Sequence, residues 1–155
     1  MRIWVDADAA PRGVKDVVAR AALRLELPAM FVANQRLQTP ANNPFVTAVK
    51  VDGGPDAADD HIAELARPGD LAVTADIPLA ARLVEKGVKA IDPRGTEYTV
   101  ENIGERLSVR NFMDELRSTG IETGGPRAYG QKEKRAFAAS FDRVLTRLLK
   151  GRGRP

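Results

Sequence analysis

Two short apolar runs in this chain each end in aspartate. The first is Ile3-Trp4-Val5-Asp6-Ala7-Asp8 and the second is Leu71-Ala72-Val73-Thr74-Ala75-Asp76. Runs of this length, rich in β-branched and aromatic residues, predict buried strands. A carboxylate at the carboxyl end of a parallel strand sits where open α/β sheets hold their ligands. If the two strands are neighbours, as in doubly wound sheets, Asp76 comes close to Asp6 and Asp8 at the point where the strand order reverses. Clustered carboxylates repel one another, so they call for a cation or a shared proton. The pattern points first to a divalent metal.

The rest of the chain reads as strands alternating with helices. Strands are expected over residues 2–6, 29–33, 45–51, 71–75 and 88–91. Helical apolar spacing runs through Val14, Val17, Val18, Ala21, Ala22 and Leu25. Further helices are expected over 56–66 with Asp56 as N-cap, over 77–86 with Pro78 in the first turn, and over 132–150. Residues 100–119 read as one helix or as two interrupted near Ser108. Such alternation predicts an α/β fold with a central, mostly parallel sheet of about five strands. The link from Asn34 to Pro44 has no helical pattern, so the third strand is either reached by an irregular crossover or runs antiparallel. A single domain over 1–150 and a flexible basic tail over 151–155 are expected.

Charge and composition narrow the function classes. There is no cysteine among the 155 residues, which excludes disulfides, zinc-thiolate sites and thiol nucleophiles. Apolar runs are strand-sized, well short of the roughly 20 residues a membrane helix needs. The chain opens on a strand without a basic-then-apolar leader, so a cytoplasmic protein is expected. The net charge of +3 is uneven, with nine Lys/Arg against two acids from Arg127 onward. A basic flank beside an acidic metal site suits a polyanionic substrate. For the last five residues, solubility is the simpler explanation.

Asp59 and Asp60 lie one turn into the helix before the fourth strand and can look over the same crevice. The helix dipole would favour both there anyway, and for Asp60 that is the preferred reading. Asp8 and Asp76 have simpler alternatives as a turn former and a helix cap. An oxygen-only donor set suits Mg²⁺ or Mn²⁺ rather than zinc. Asn34 follows a strand and is either a hydrogen-bonding group in the crevice or a turn residue. His61, the single histidine, is expected at the surface, and Trp4 in the core.

Several longer motifs resemble the bacterial YaiI/YqxD family. They are the opening Ile-Trp-Val-Asp-Ala-Asp-Ala-x-Pro, Val32-Ala33-Asn34-Gln35, and Gly69-Asp70 through Thr74-Ala75-Asp76-Ile77-Pro78-Leu79-Ala80. Pro93-Arg94-Gly95-Thr96-Glu97-Tyr98-Thr99, Asn102-Ile103, Leu107, Arg110, Met113 and Gly124-Gly125-Pro126 extend the resemblance over nearly the whole chain. It implies a PIN-like three-layer sandwich, the fold of many Mg²⁺- or Mn²⁺-dependent ribonucleases, without implying a particular activity. It puts the first acid on Asp6 with Asp8 in support, the mid-chain helical acid on Asp59, and the Thr-x-Asp element on Thr74 and Asp76. The family usually has Cys where this chain has Ala10, so a thiol is not needed for any shared chemistry. Arg94 and Arg110 lie inside these motifs and are expected to contact phosphates. Arg106 and Arg117 are expected on a solvated face, paired with Asp114 and Glu101.

Three functions fit these residues. In the leading one, Asp6, Asp8, Asp59 and Asp76 hold Mg²⁺ or Mn²⁺ for phosphodiester hydrolysis on RNA or single-stranded nucleic acid. Thr74 then orients a carboxylate or the water, while Asn34, Arg94, Arg110 and basic C-terminal residues bind substrate. In the second, Asp6 is a covalent nucleophile and Asp8 its acid/base partner, an arrangement that resembles haloacid-dehalogenase-type phosphatases. That reading needs a lysine, for which Lys86 or Lys89 is the candidate, and a further acidic motif that the sequence lacks. The third is a non-catalytic module that binds nucleic acid or a protein partner. Oligomeric state is left open.

Overall fold

The central strand, β1 (Ile3–Asp6), is buried along its whole length. It pairs in parallel with β2 (Ala29–Ala33) on one side and β4 (Leu71–Val73) on the other. β2 continues to β3 (Val46–Lys50), and β4 to β5 (Lys89–Ile91), also in parallel. A short β6 (Glu97–Tyr98) closes the edge antiparallel to β5. The computed structural model describes residues 1–54, 56–123 and 128–152. Among these the strand order is β3-β2-β1-β4-β5-β6. The order reverses between β1 and β4, as the two strand-then-acid runs require.

Helices cover both faces. α1 (Arg12–Leu25) and α5 (Gln131–Arg152) pack on one, against Ile3, Val5, Phe31, Val73 and Ile91. α2 (Ala57–Leu65) and α3 (Ile77–Lys86) pack on the other, against Trp4, Val32, Ala72 and Ala90. Side chains alternate along a strand, so each buried strand feeds both layers. Trp4 and Asp6 therefore share a face, the one that α2 and α3 cover. α4 (Val100–Ser118) lies against α3 and buries none of its own residues. The result is a three-layer α/β sandwich, and Trp4 is a core residue as expected.

Several expectations are refined. β3 runs parallel, reached by a crossover without a helix, which Asn43 pins to α1 through a bond from Nδ2 to the Ala19 carbonyl (2.9 Å). α4 is continuous through Ser108, whose hydroxyl donates to the Gly104 carbonyl (3.1 Å) and so stays within the helix. Asp56 precedes α2 but makes no side-chain cap bond. β6 has two residues, too few to show a period. α5 extends through Arg152, past the expected start of the tail at 151. The remainder of that tail, 153–155, and the Gly124-Gly125-Pro126 motif lie outside the described residues.

One buried acid organises the amino edge of the sheet. Asp70 accepts from the backbone N–H of Arg2 (2.9 Å), the indole Nε1 of Trp4 (3.1 Å) and the backbone N–H of Arg67 (3.0 Å). It ties β1 to β4 at the end opposite their acids. Truncation would strand these donors, and a buried unsatisfied donor costs about 1–3 kcal/mol. Asp70→Ala is expected to lower unfolding free energy by about 3 kcal/mol in urea titrations, and Asp70→Asn by less. A loss within about 0.5 kcal/mol for Asp70→Ala would refute this role.

Candidate metal and phosphodiester site

The carboxyl edge of the sheet carries the acids. Asp6 ends β1 on the face that α2 and α3 cover, and it is only 8% exposed. Thr74 follows β4 and donates its Oγ to Asp6 Oδ2 (2.9 Å). The same Oγ accepts from the backbone N–H of Asp76 (3.0 Å), and the Thr74 carbonyl accepts from the Tyr98 hydroxyl (3.0 Å). Asp76 caps α3, its Oδ1 accepting from the backbone N–H of Leu79 (2.9 Å). The capping role and the crevice position thus coexist, since the cap engages one carboxylate oxygen. Asp8 is exposed, with its Oδ2 accepting from the backbone N–H of Asn34 (2.7 Å).

Asp59 comes from α2, beside the buried Ala58 and one turn before the buried Ile62. Its helix face is the one turned to the sheet, which brings it to Asp6 and Asp76. Asp6, Asp8, Asp59, Asp76, Asn34 and Gln35 line a common crevice of about 470 Å³. All four expected acids therefore converge, from β1, the loop after it, α2 and the start of α3.

The electrostatics of the crevice are unfavourable as it stands. Burial pushes the Asp59 carboxyl up to about 7, with the nearby charges of Asp76 and Asp6 adding to the shift. Burial also raises Asp6, opposed by the Thr74 hydroxyl and reinforced by Asp76 and Asp8. These groups resist full ionisation without a positive partner. Carboxylate oxygens with no imidazole or thiolate are the donor set of a hard divalent cation. Among the described residues no three acids or imidazoles yet stand within reach of one common ion, so binding would require side chains to close inward.

Other residues sort away from the crevice. Asp60 pairs with Arg82 (2.8 Å) on the outer side of α2 and α3. His61 is half-buried with its ring edge-on to Trp4, the centroids 6.1 Å apart. Arg110 pairs with Asp114 (3.2 Å) and lines a groove between α3 and α4 with Ile77 and Met113. Arg117 pairs with Asp114 (2.7 Å), as expected. Arg106 does not: it pairs with Asp92 (3.0 Å), its guanidinium 4.2 Å from the centre of the Tyr98 ring. Arg94 lies in the turn between β5 and β6, 3.8 Å from Glu133. Two basic residues of α5 are also paired, Lys134 with Asp16 (3.6 Å) and Arg147 with Glu97 (3.0 Å).

Asp92 escaped the sequence reading although it too follows a strand, β5. It is buried, accepting from the backbone N–H groups of Arg94 and Thr96 (2.9 Å each) and shaping the β5–β6 turn. Gly95 in that turn has φ +94°, and a Cβ there would sit 2.7 Å from the Ala136 carbonyl of α5. The turn is thereby held against α5. The lysines that a phosphatase would need are elsewhere. Lys86 Nζ bonds the carbonyls of Ala63 and Glu64 at the end of α2 (2.9 Å each), and Lys89 pairs in register with Leu71 at the amino edge.

A pH dependence follows from Asp59. Its value in the folded state lies above its ordinary 3.8, so the folded state binds the proton more tightly than the unfolded chain. Stability from this source is fully present in acid and is lost as pH rises through about 7. Without divalent ions, wild-type melting temperature is expected to fall between pH 5 and 8 by more than that of Asp59→Asn. Parallel curves for the two proteins would contradict the placement of Asp59 among these acids.

Comparison with known proteins covers nearly the whole chain. A family model described as "Uncharacterized BCR, YaiI/YqxD family" matches residues 4–147, a span that includes every acid of the crevice. A UPF0178 protein of Myxococcus xanthus is 55% identical over 150 residues, covering 97% of each chain. A UPF0178 protein of Syntrophobacter fumaroxidans is 53% identical over 153 residues, covering 99% of each. No solved structure matches the chain. Among the described residues no helix is long and apolar enough to cross a membrane. The chain belongs to the YaiI/YqxD family.

Proposed function

We propose that the crevice binds Mg²⁺ or Mn²⁺ and hydrolyses phosphodiester bonds in RNA or single-stranded nucleic acid. The observation that carries this is the convergence of Asp6, Asp8, Asp59 and Asp76 at the switch point, with Asp6 and Asp59 both resisting ionisation. When bound, such an ion supplies a Lewis acid for the phosphoryl oxygens and makes bound water a nucleophile near neutral pH.

The chain's own residues do the positioning. Asp6 is the buried member of the ligand set, Asp59 and Asp76 are half-buried, and Asp8 completes it from the rim. Thr74 holds Asp6 in one orientation while bracing the backbone of Asp76. The backbone N–H of Asn34 steadies Asp8, leaving the Asn34 side chain beside Gln35 to meet the substrate. Arg94 lies in the neighbouring cavity, on the path a bound strand would follow. Arg110 lines a different groove and would meet only a longer ligand.

Mn²⁺ should raise the melting temperature of the wild-type protein by mass action. Asp6→Asn should remove that response. Thr74→Val should weaken Mn²⁺ binding about 10- to 100-fold, because a partner that orients a ligand is lost. With Mn²⁺ present, Asp6→Asn and Asp76→Asn should each abolish cleavage of short single-stranded RNA while RNA binding, read by anisotropy, persists. Asparagine can still cap α3, so loss of folding would not explain the Asp76 result. Wild-type protein that binds RNA and leaves it intact across single-stranded and structured substrates would overturn the nuclease reading in favour of a binding module.

A further inference from the structure

Beside the acid crevice lies a second cavity of about 320 Å³. Ala9 lines both, so the two are contiguous at that residue. Ala75, between Thr74 and Asp76, lines the second cavity. The remaining walls include Asp92, Pro93 and Arg94 of the β5–β6 turn, with Tyr98, Arg106 and Tyr129. We infer that this cavity receives the unpaired base of a nucleotide whose phosphate occupies the acid crevice. Identifying the ligand as a nucleotide rests on the function proposed above.

The wall chemistry selects a base over a second phosphate. Both guanidiniums are already matched by carboxylates, Arg106 by Asp92 and Arg94 by Glu133. A phosphate would need uncompensated positive charge. The other lining groups are aromatic rings, prolines and alanines, which favour a flat apolar face. Among the described residues one polar demand is unmet: Arg106 Nη1 is buried without an acceptor. Bases carry carbonyl and ring-nitrogen acceptors on their edges, so a small shift of Arg106 on binding would satisfy that donor.

The walls are also fixed beforehand. The Tyr129 hydroxyl donates to the Pro93 carbonyl (2.9 Å), which holds its ring in place. Arg106 is fixed between Asp92 and the Tyr98 ring, and the Tyr98 hydroxyl is bonded to Thr74. The chain Thr74–Tyr98–Arg106–Asp92 therefore joins the cavity to the carboxylates. With the other walls held in place, only the Nη1 end of Arg106 has to adjust when the cavity is filled, so little entropy is lost.

The test compares adenosine 5′-monophosphate with ribose 5-phosphate, which lacks the base, by amide chemical-shift titration of the wild-type protein with Mg²⁺ present. Stacking of a base is worth about 1–3 kcal/mol, so the nucleotide should bind about 5- to 150-fold tighter. The largest shifts should fall on Ala9, Arg94, Tyr98 and Tyr129. Ala75→Trp fills the cavity from an exposed position, and Tyr129→Ala removes a wall. Each should reduce nucleotide affinity to the level of ribose 5-phosphate while the melting-temperature response to Mn²⁺ persists. Equal affinity for the two probes, or nucleotide affinity unchanged in Ala75→Trp, would overturn the inference. Nucleotide binding at these amides in a protein that cuts no RNA would uphold the base pocket and end the nuclease reading. RNA cleavage with equal affinity for the two probes would do the reverse.

Discussion

The hydrogen bond from Thr74 to Asp6 joins the two halves of the sheet where its strand order reverses. Its oxygen donates to Asp6 and accepts from the Asp76 backbone, so one hydroxyl serves both acids. A carbonyl bond from the same residue anchors Tyr98, and through Tyr98 the cation of Arg106. A hydroxyl can donate and accept at once, which neither an amide N–H nor a carboxylate can do. Threonine adds a β-branched stem that suits the end of a strand. The crevice, the start of α3 and the neighbouring cavity all take their relative positions from this residue.

Aspartates at the two edges of the sheet show how surroundings decide the role of one side chain. Asp70, at the amino edge, is surrounded by donors and is a structural tie. Asp6 and Asp59, at the carboxyl edge, are pushed toward the protonated form by burial first and by the carboxylates beside them second. The first arrangement is satisfied by the protein alone, whereas the second is satisfied only by a proton or a cation. Asp76 stands between these cases, with one oxygen capping a helix and its charge helping to raise Asp59.

Much of this was legible because the signals are local. The runs before Asp6 and Asp76 are apolar and β-branched, so both strands and their terminal acids could be read directly. The capping acid Asp76 and the stop at Gly87, with φ +85°, bracket α3 as its sequence suggests. Asp60 differs from Asp59, since a single step around α2 turns it toward Arg82 instead of the sheet. Pairings across distant elements left no such trace. Arg106 looks like a solvated helix residue until the β5–β6 turn brings Asp92 beneath it. Asp92 carries the same strand-then-acid signal as Asp6, yet its oxygens are spent on the turn and on Arg106.

The sequence by itself determined the alternating elements, the buried strands and which acids end them, because periodicity and strand-end chemistry are written in adjacent residues. Only the tertiary structure decided that β3 runs parallel without a helical crossover. It alone joined Asp59 on α2 to Asp6 and Asp76, and it alone turned Arg106 and Tyr129 into walls of one cavity. The physical reason is range. A helix or strand is specified by neighbours a few residues apart. A cluster of like charges or a shared cavity exists only after the core has closed and brought together groups tens of residues apart in the chain.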